Sequence, residues 1–208
     1  MKNSTIDRTD TVLVNLGEFI PMVQNERIPV HRLILASRNE YSRALLYGGL
    51  QESKLNEITL NVALIAFKHL LRYIYTSALE LKDMEVDDVL DLLGLVDQYG
   101  MTDTEMDISD YLCKVLNIEN VCKIFEETLL FNLKQSTPVC YKFLDVNASC
   151  IMKHDSLCKL FFDTLNRVLD RTCSQNVFIE QIEIVLAIQT WCKNKSYIED
   201  KKEKLLGK

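Results

Sequence analysis

Short alternating and apolar stretches in the first eighty residues predict a small β-sheet. Apolar runs at 19–23 and 27–30 flank three polar residues and predict a β-hairpin. Two further short strands are predicted at 57–60 and 79–81, between stretches of a different period. Pro21 cannot donate to a strand ladder, so we expect the first strand to lie at a sheet edge.

Helical periodicity dominates from residue 31 onward. The first helical stretch carries two apolar faces that separate near Ser37, and Asn61 stands where an N-cap would begin a strongly apolar helix. The predicted helices are at 31–47, 61–75, 86–99, 107–116, 118–131, 136–148, 154–169 and 180–194. The predicted fold class is therefore α+β, a small sheet flanked by helices, followed by an all-α segment.

Charge and composition exclude several classes of partner. The chain has 24 basic and 30 acidic residues among 208, a net charge of −6 and a pI near 5.2. Binding to a phosphate backbone depends on Lys and Arg displacing counterions, so a nucleic-acid partner is not expected. The longest apolar run, 62–67, is far shorter than the roughly 20 residues of a membrane span. The polar opening lacks the apolar core of a signal peptide. We therefore expect a cytoplasmic protein, with nuclear access left open, that has no membrane partner.

The residues that usually carry catalysis form no recognisable site. His31, His69 and His154 stand outside hydrolase and zinc signatures, and a lone histidine on a helix is usually a hydrogen-bonded structural residue. Seven cysteines match no zinc spacing, and their odd number opposes a disulfide framework, which favours buried free thiols. Gly48-Gly49 lacks the lysine of a phosphate loop and is interpreted as a helix stop. We predict no enzyme, no catalytic residue, no cofactor and no metal.

One acidic stretch invites two interpretations. Eleven acids stand between Glu80 and Asp110 against a single base, Lys82. Their loose spacing lacks the glycine turn of a calcium loop. The stretch is either a solvated acidic face or a docking surface for a basic partner, whose association such a field would steer.

Three separated blocks in the first half resemble a BTB (POZ) domain, in the order that this family has. They are PVHRLILASR at 29–38 with YSRALLYGGLQES at 41–53, the apolar stretch 66–76, and the leucine-rich stretch 90–99. The second half resembles part of a BACK domain, the helical module that follows BTB in many cullin adaptors. That resemblance is carried by 117–122, 142–144 and Trp191-Cys192. Pieces at 43–53, 120–122 and 191–193 are most similar to one type of cullin-3 adaptor.

The resemblance implies a protein-interaction module that dimerises and recruits cullin-3 to a ubiquitin ligase. The hydrophobic-x-Glu motif of such adaptors is matched by Leu50-Gln51-Glu52, so the implied partner contacts are Tyr47, Leu50 and Glu52. On the other interpretation, Leu50 packs on its own domain and Glu52 is a surface acid. A BTB scaffold or transcriptional co-regulator without a ligase, pairing with itself or other BTB proteins, is the alternative function.

The resemblance also implies where the domains and the dimer interface lie. The implied ranges are 1–17 for a short N-terminal dimer segment, 18–116 for the BTB domain, 117–194 for a partial BACK domain and 195–208 for a charged tail. The apolar residues before Gly17 have no partner within their own segment and must pack against something else. The implied dimer interface consists of Val12, Leu13, Leu16 and Ile20.

Overall fold

The computed structural model describes residues 18–49, 51–174 and 181–206. The chain divides into two compact units, unit 1 at Met1–Ile108 and unit 2 at Ser109–Lys208. This division lies inside a helix, and the domain boundary near residue 116 stays a prediction.

Unit 1 contains a mixed sheet built around its first strand. The strands are β1 (Glu18–Val23), β2 (Glu26–Arg27), β3 (Val30–His31) and β4 (Glu57–Leu60). β1 pairs antiparallel with β2 and β3, and parallel with β4. Gln24 and Asn25 have φ of 48° and 68°, the left-handed pair that a two-residue type I′ turn requires. The predicted hairpin and the predicted strand at 57–60 are both confirmed.

The expectation that Pro21 places β1 at an edge is wrong, because β1 is central among the described strands. The Pro21 carbonyl accepts a hydrogen bond from the Ile28 N–H at 3.0 Å. The N–H that Pro21 lacks would have pointed to this same side of β1, where Ile28 lies in the gap between β2 and β3. Toward β4 the ladder is intact, and the Ile20 N–H donates to the Asn56 carbonyl at 2.9 Å. One missing bond is therefore tolerated inside the sheet.

The helices of unit 1 follow the predicted apolar periodicity. They are α1 (Arg32–Arg38), α2 (Glu40–Tyr47), α3 (Leu64–Thr76) and α4 (Val86–Gln98), with a 3-10 helix at Gln51–Lys54. The next helix, α5 (Thr102–Lys114), contains the division between the two units. α1 and α2 separate at Asn39, just beyond the predicted break near Ser37. Asn39 has an extended backbone that ends one helix and caps the next.

Two local predictions in unit 1 are wrong. Residues 79–81 form no strand, because the Leu81 carbonyl accepts a turn hydrogen bond from Met84 at 3.2 Å as the chain enters α4. Asn61 is not the N-cap of α3. Ala63 occupies that position without a side-chain hydrogen bond, and its carbonyl accepts the Phe67 N–H at 2.9 Å.

The core of unit 1 lies between the sheet and the helices α1 to α4. Most residues predicted from helical spacing to be core are buried: Leu35, Phe67, Leu71, Ile74, Leu93 and Val96. Leu45 is only half-buried, contrary to the prediction. It lies on the wall of a small apolar hollow that Pro21, Ile58 and Leu60 also line.

Unit 2 is helical throughout its described part. Its helices are α6 (Val121–Leu130), α7 (Ser136–Val146), α8 (Ala148–Met152), α9 (Phe162–Ser174) and α10 (Gln181–Leu206), with a 3-10 helix at Asp155–Lys159. The predicted helix 154–169 is divided in two. His154 caps the 3-10 helix by accepting the Ser156 N–H at 3.2 Å, and Leu160 is extended before α9 begins. The predicted helix 136–148 likewise ends at Val146, before α8.

The cysteines whose side chains are described are all free thiols. Cys122, Cys140 and Cys158 are buried as expected, a fourth is half-buried, and Cys150 and Cys192 are exposed. The expectation of buried thiols is therefore wrong for this last pair. Across the described ranges, the helices are too short or too polar for any of them to cross a membrane.

Candidate protein-interaction surface

The connection between α2 and β4, residues 48–56, is the candidate interaction surface, because the implied partner contacts lie in and beside it. Tyr47 ends α2 with 56% of its surface exposed. Leu50 and the side chain of Glu52 lie outside the described residues. The backbone of Glu52 belongs to the 3-10 helix at Gln51–Lys54.

The implied dimer interface falls only partly within the structure. Val12, Leu13 and Leu16 lie outside the described residues. Ile20 is half-buried in β1, on the strand that also contributes Pro21 to the apolar hollow. The structure therefore leaves these four residues as a prediction.

Two glycines fix the start of the α2–β4 connection. The Gly48 N–H donates to the Ala44 carbonyl at 2.8 Å and closes the last turn of α2. A Cβ atom at Gly48 would overlap that same carbonyl oxygen. Gly49 has φ of +79°, a left-handed conformation that glycine adopts without strain. The predicted helix stop is confirmed, and it turns the chain away from α2.

Arg32 holds the other end of the connection. Its side chain is buried, and its guanidinium donates to the Ser53 carbonyl at 2.9 Å, to the Leu55 carbonyl, and to Asn56 Oδ1 at 3.3 Å. The guanidinium carbon lies 5.1 Å from the centroid of the Phe19 ring. Sequence reasoning missed this residue. The available signal was a charged residue at the start of an apolar helical stretch.

Asn39 is a second structural residue that sequence reasoning missed. Its Oδ1 accepts the Ser42 N–H at 2.7 Å, and its Nδ2 donates to the Tyr99 carbonyl at 2.7 Å. The side chain therefore caps α2 and ties its start to the end of α4. An Asn before Glu40 and an apolar stretch is an N-cap signature that could have indicated it.

Apolar side chains are exposed at both ends of the connection. Besides Tyr47, Leu55 has 49% of its surface exposed. Nearby, Tyr41 packs edge-on against Tyr99 with ring centroids 4.8 Å apart. Burial, together with Tyr41, raises the pKa of Tyr99 to about 12. Apolar surface is therefore exposed at both ends of the connection.

His31 and His154 have hydrogen-bond partners in the structure. The His31 N–H donates to the Tyr75 hydroxyl at 2.9 Å, and Nδ1 of the same histidine lies 3.0 Å from that oxygen. His154 Nδ1 lies 2.9 Å from the Ser156 hydroxyl. These contacts confirm the hydrogen-bonded structural role for His31 and His154, and for the half-buried His69 on α3 that role stays a prediction.

For the acidic stretch between Glu80 and Asp110, a solvated face and a docking surface for a basic partner both stay predictions. Glu80 forms an ion pair with Arg72 at 2.8 Å, and most of the other acids up to residue 110 are exposed. Burial, followed by the charge of Asp97, raises the pKa of Glu105. Among the described residues, no group of three His, Cys, Asp or Glu side chains is arranged to hold a metal ion.

A family comparison covers this whole surface. The family model of the BTB/POZ domain matches residues 18–116, which include the sheet, α1 to α4 and the α2–β4 connection. Residues 18–116 of this chain belong to the BTB/POZ domain family. BTB domains are protein-interaction modules, so the exposed connection lies in a domain whose general role is to bind other proteins.

Curated BTB relatives match most of this chain. It is 45% identical over 184 residues to BTB/POZ domain-containing protein 9 of Drosophila melanogaster, and 38% identical over 182 residues to the protein of that name from Homo sapiens. It is 27% identical over 190 residues to human BTB/POZ domain-containing protein 3. The three alignments cover 88%, 86% and 88% of this chain. They cover only 25%, 29% and 35% of the relatives, so the chain spans about a quarter to a third of their length.

A solved BTB domain is also similar. The BTB domain of human gigaxonin matches with a TM-score of 0.40 and 20% sequence identity. That match covers 54% of this chain and 97% of the gigaxonin domain.

Proposed function

We propose that this chain is a dimerising BTB adaptor that recruits cullin-3 to a ubiquitin ligase in the cytoplasm. The observation that supports this proposal most directly is the α2–β4 connection. It carries the hydrophobic-x-Glu motif Leu50-Gln51-Glu52 between two ends that are held to the domain. Gly48 fixes the first end and Arg32 the second.

The proposed contact combines an apolar anchor with a polar rim. Leu50 would enter an apolar pocket on cullin-3, and Glu52 would accept a hydrogen bond at the edge of that pocket. Tyr47 and Leu55, both exposed, would add apolar contact on either side. The described ends of the connection are already bonded to the domain, so they lose little conformational freedom on binding, which favours affinity.

The proposal is tested by titrating the recombinant amino-terminal domain of cullin-3 into the full chain in a calorimeter. Leu50→Asp should abolish binding, because a carboxylate in an apolar pocket without a partner costs several kcal/mol. Glu52→Ala should weaken binding less, since a hydrogen bond to a charged group is worth about 1.5–3 kcal/mol. Ile65→Asp on α3 is the matched control, because Ile65 is also an exposed apolar residue. It should bind as the wild type does.

Two outcomes would contradict the proposal. A folded Leu50→Asp variant that binds normally would remove the proposed contact. No binding by the wild-type chain would instead favour the BTB scaffold or co-regulator that acts without a ligase. Circular dichroism of each variant separates a lost contact from a lost fold.

A further inference from the structure

Unit 2 contains an open groove that the proposed function does not use. It has a volume of about 500 Å³ and lies where α7 and α9 meet the turn after α6. Arg167 and Arg171 contribute from α9, Pro138 and Tyr141 from α7, and Lys134 from the turn. The lining includes these three cations and no acidic residue. The volume falls within the roughly 300–1,000 Å³ that is usual for ligand sites.

Arg171 is held in a fixed orientation within the groove. Its Nε and Nη2 donate to the two carboxylate oxygens of Asp145 at 2.8 and 2.7 Å, a bidentate pair. The guanidinium carbon lies 4.4 Å from the centroid of the Tyr141 ring. An arginine carries five N–H donors, so the Nη1 end of this one is left for another acceptor. Its conformational entropy has already been lost on folding.

The other two cations are exposed and lack an internal counter-charge. Within the described part of the chain, neither Lys134 nor Arg167 forms an ion pair or a side-chain hydrogen bond. Arg167 precedes Arg171 by one helical turn, so both project from the same face of α9. Lys134 stands on a different wall, next to Asn132, whose φ of 53° marks the tight turn after α6. Three cations therefore converge on one groove from two sides.

We propose that this groove binds an extended acidic peptide segment of a partner protein. Carboxylates on the peptide would pair with Arg167 and Lys134 and accept from the free end of Arg171. Leu129 and Pro138 add an apolar strip to the lining, which a leucine-sized side chain of the peptide would cover. Cations on separate walls with apolar surface between them suit a chain of several residues better than one small anion. The net charge of −6 opposes general binding to nucleic acid.

Fluorescence anisotropy of the full chain tests this proposal. The probe is a fluorescein-labelled peptide of six glutamates and two leucines, and the control peptide replaces each glutamate with glutamine. The wild-type chain should bind the acidic peptide and not the glutamine peptide. Arg167→Glu and Lys134→Glu should each weaken binding by about tenfold, with the remaining affinity falling as salt rises.

A matched variant separates the groove from general charge. Lys142→Glu changes the charge equally on α7 but replaces an exposed residue that does not line the groove. It should bind within about twofold of the wild type, since surface charges at a distance are screened. Equal losses in Lys142→Glu and Arg167→Glu would overturn the proposal. So would equal binding of the glutamine peptide, equal binding of a six-nucleotide thymidine oligomer, or no binding by the wild type. Lys134→Glu keeps the test valid if Arg167→Glu does not fold.

Discussion

Arg32 is a buried cation that serves the fold and the candidate interaction surface together. It satisfies the carbonyls of Ser53 and Leu55 and the side chain of Asn56, all in the α2–β4 connection. A buried charge is tolerated when its donors are used in this way. Removing the guanidinium would take away these three hydrogen bonds while the connection stays attached to β4.

We expect Arg32→Met to lower the free energy of unfolding by about 2–4 kcal/mol, because several charge-assisted hydrogen bonds are lost together. Arg32→Lys should recover less than half of the stability that Arg32→Met loses, since an ammonium group cannot reproduce the planar donor geometry of the guanidinium. Urea denaturation measures both values. Arg72→Met is the control, because Arg72 is exposed and its pair with Glu80 should contribute about 1 kcal/mol or less. An equal loss in the two methionine variants would contradict the role given to Arg32.

The buried thiols of unit 2 predict a loss of stability at alkaline pH. Burial raises the pKa of Cys140 from its usual 9.0 to about 12, and that of Cys122 to about 11. The unfolded chain then loses these protons at lower pH than the folded chain does. Stability should therefore fall as pH rises from about 9 toward 12. Urea unfolding at about pH 8 and about pH 10.5 measures this difference, which should be smaller in Cys140→Ala. An unchanged difference in that variant would contradict the assignment to Cys140.

Residues with long-range partners were the ones that the sequence did not reveal. Asn39 bonds to Tyr99, sixty residues along the chain, and Arg32 bonds to a connection more than twenty residues away. The local sequence pattern indicates helical spacing and turns, but it does not indicate hydrogen bonds between residues far apart in the sequence. Gly48-Gly49 was predicted correctly as a stop because a helix end is a local event.

At the scale of elements, apolar periodicity predicted which stretches are helices better than where they begin. α4 and α7 lie close to their predicted ranges, while α3 begins at Leu64 without a side-chain cap. The error at Pro21 has another origin. A strand that contains a proline can be central when the missing N–H points to a gap between the neighbouring strands. The sequence does not show where such a gap lies, because it depends on how the strands pair.

The end of α2 supplies a prediction about one element. Gly48→Ala should destabilise the fold by about 1–3 kcal/mol, because the new methyl group overlaps the Ala44 carbonyl and forces the last turn open. Gly49→Ala should cost about 1 kcal/mol from backbone strain alone, since open space surrounds that position. Urea denaturation ranks the two variants.

Gly100→Ala is the control for backbone strain. Gly100 has φ of +65° and open space where a Cβ atom would stand, like Gly49. The two should therefore lose similar stability, and Gly48→Ala should lose more than either. A Gly48→Ala variant as stable as the other two would show that the last turn of α2 accommodates a side chain there.

At the scale of the molecule, the family and fold class followed from the sequence, while the partner contacts stay a prediction. The spaced blocks of a BTB domain are specific because three of them occur in order, and the match at 18–116 confirms them. Partner contacts depend on what a second protein presents, which no pattern in one chain records. The basic groove of unit 2 was missed for a related reason, since Lys134 and Arg167 approach each other only after α6, α7 and α9 have packed.

Self-association is the prediction that belongs to the whole molecule. The apolar residues Val12, Leu13 and Leu16 need a surface to cover them, and the half-buried Ile20 and Leu45 are apolar residues of unit 1 that a second copy could cover. A symmetric dimer would bury both sets, since each copy offers the same surface to the other. Light scattering at micromolar concentration should give about 48 kDa, twice the 24.1 kDa of one chain.

Leu13→Asp should shift this mass to that of a single chain, because an unpaired carboxylate in an apolar interface costs several kcal/mol. Leu33→Asp is the matched control on α1, where Leu33 has 54% of its surface exposed, and it should remain dimeric. A mass near 24.1 kDa for the wild type at every concentration would contradict self-association. A dimer that survives Leu13→Asp but dissociates in Leu33→Asp would instead place the interface on α1.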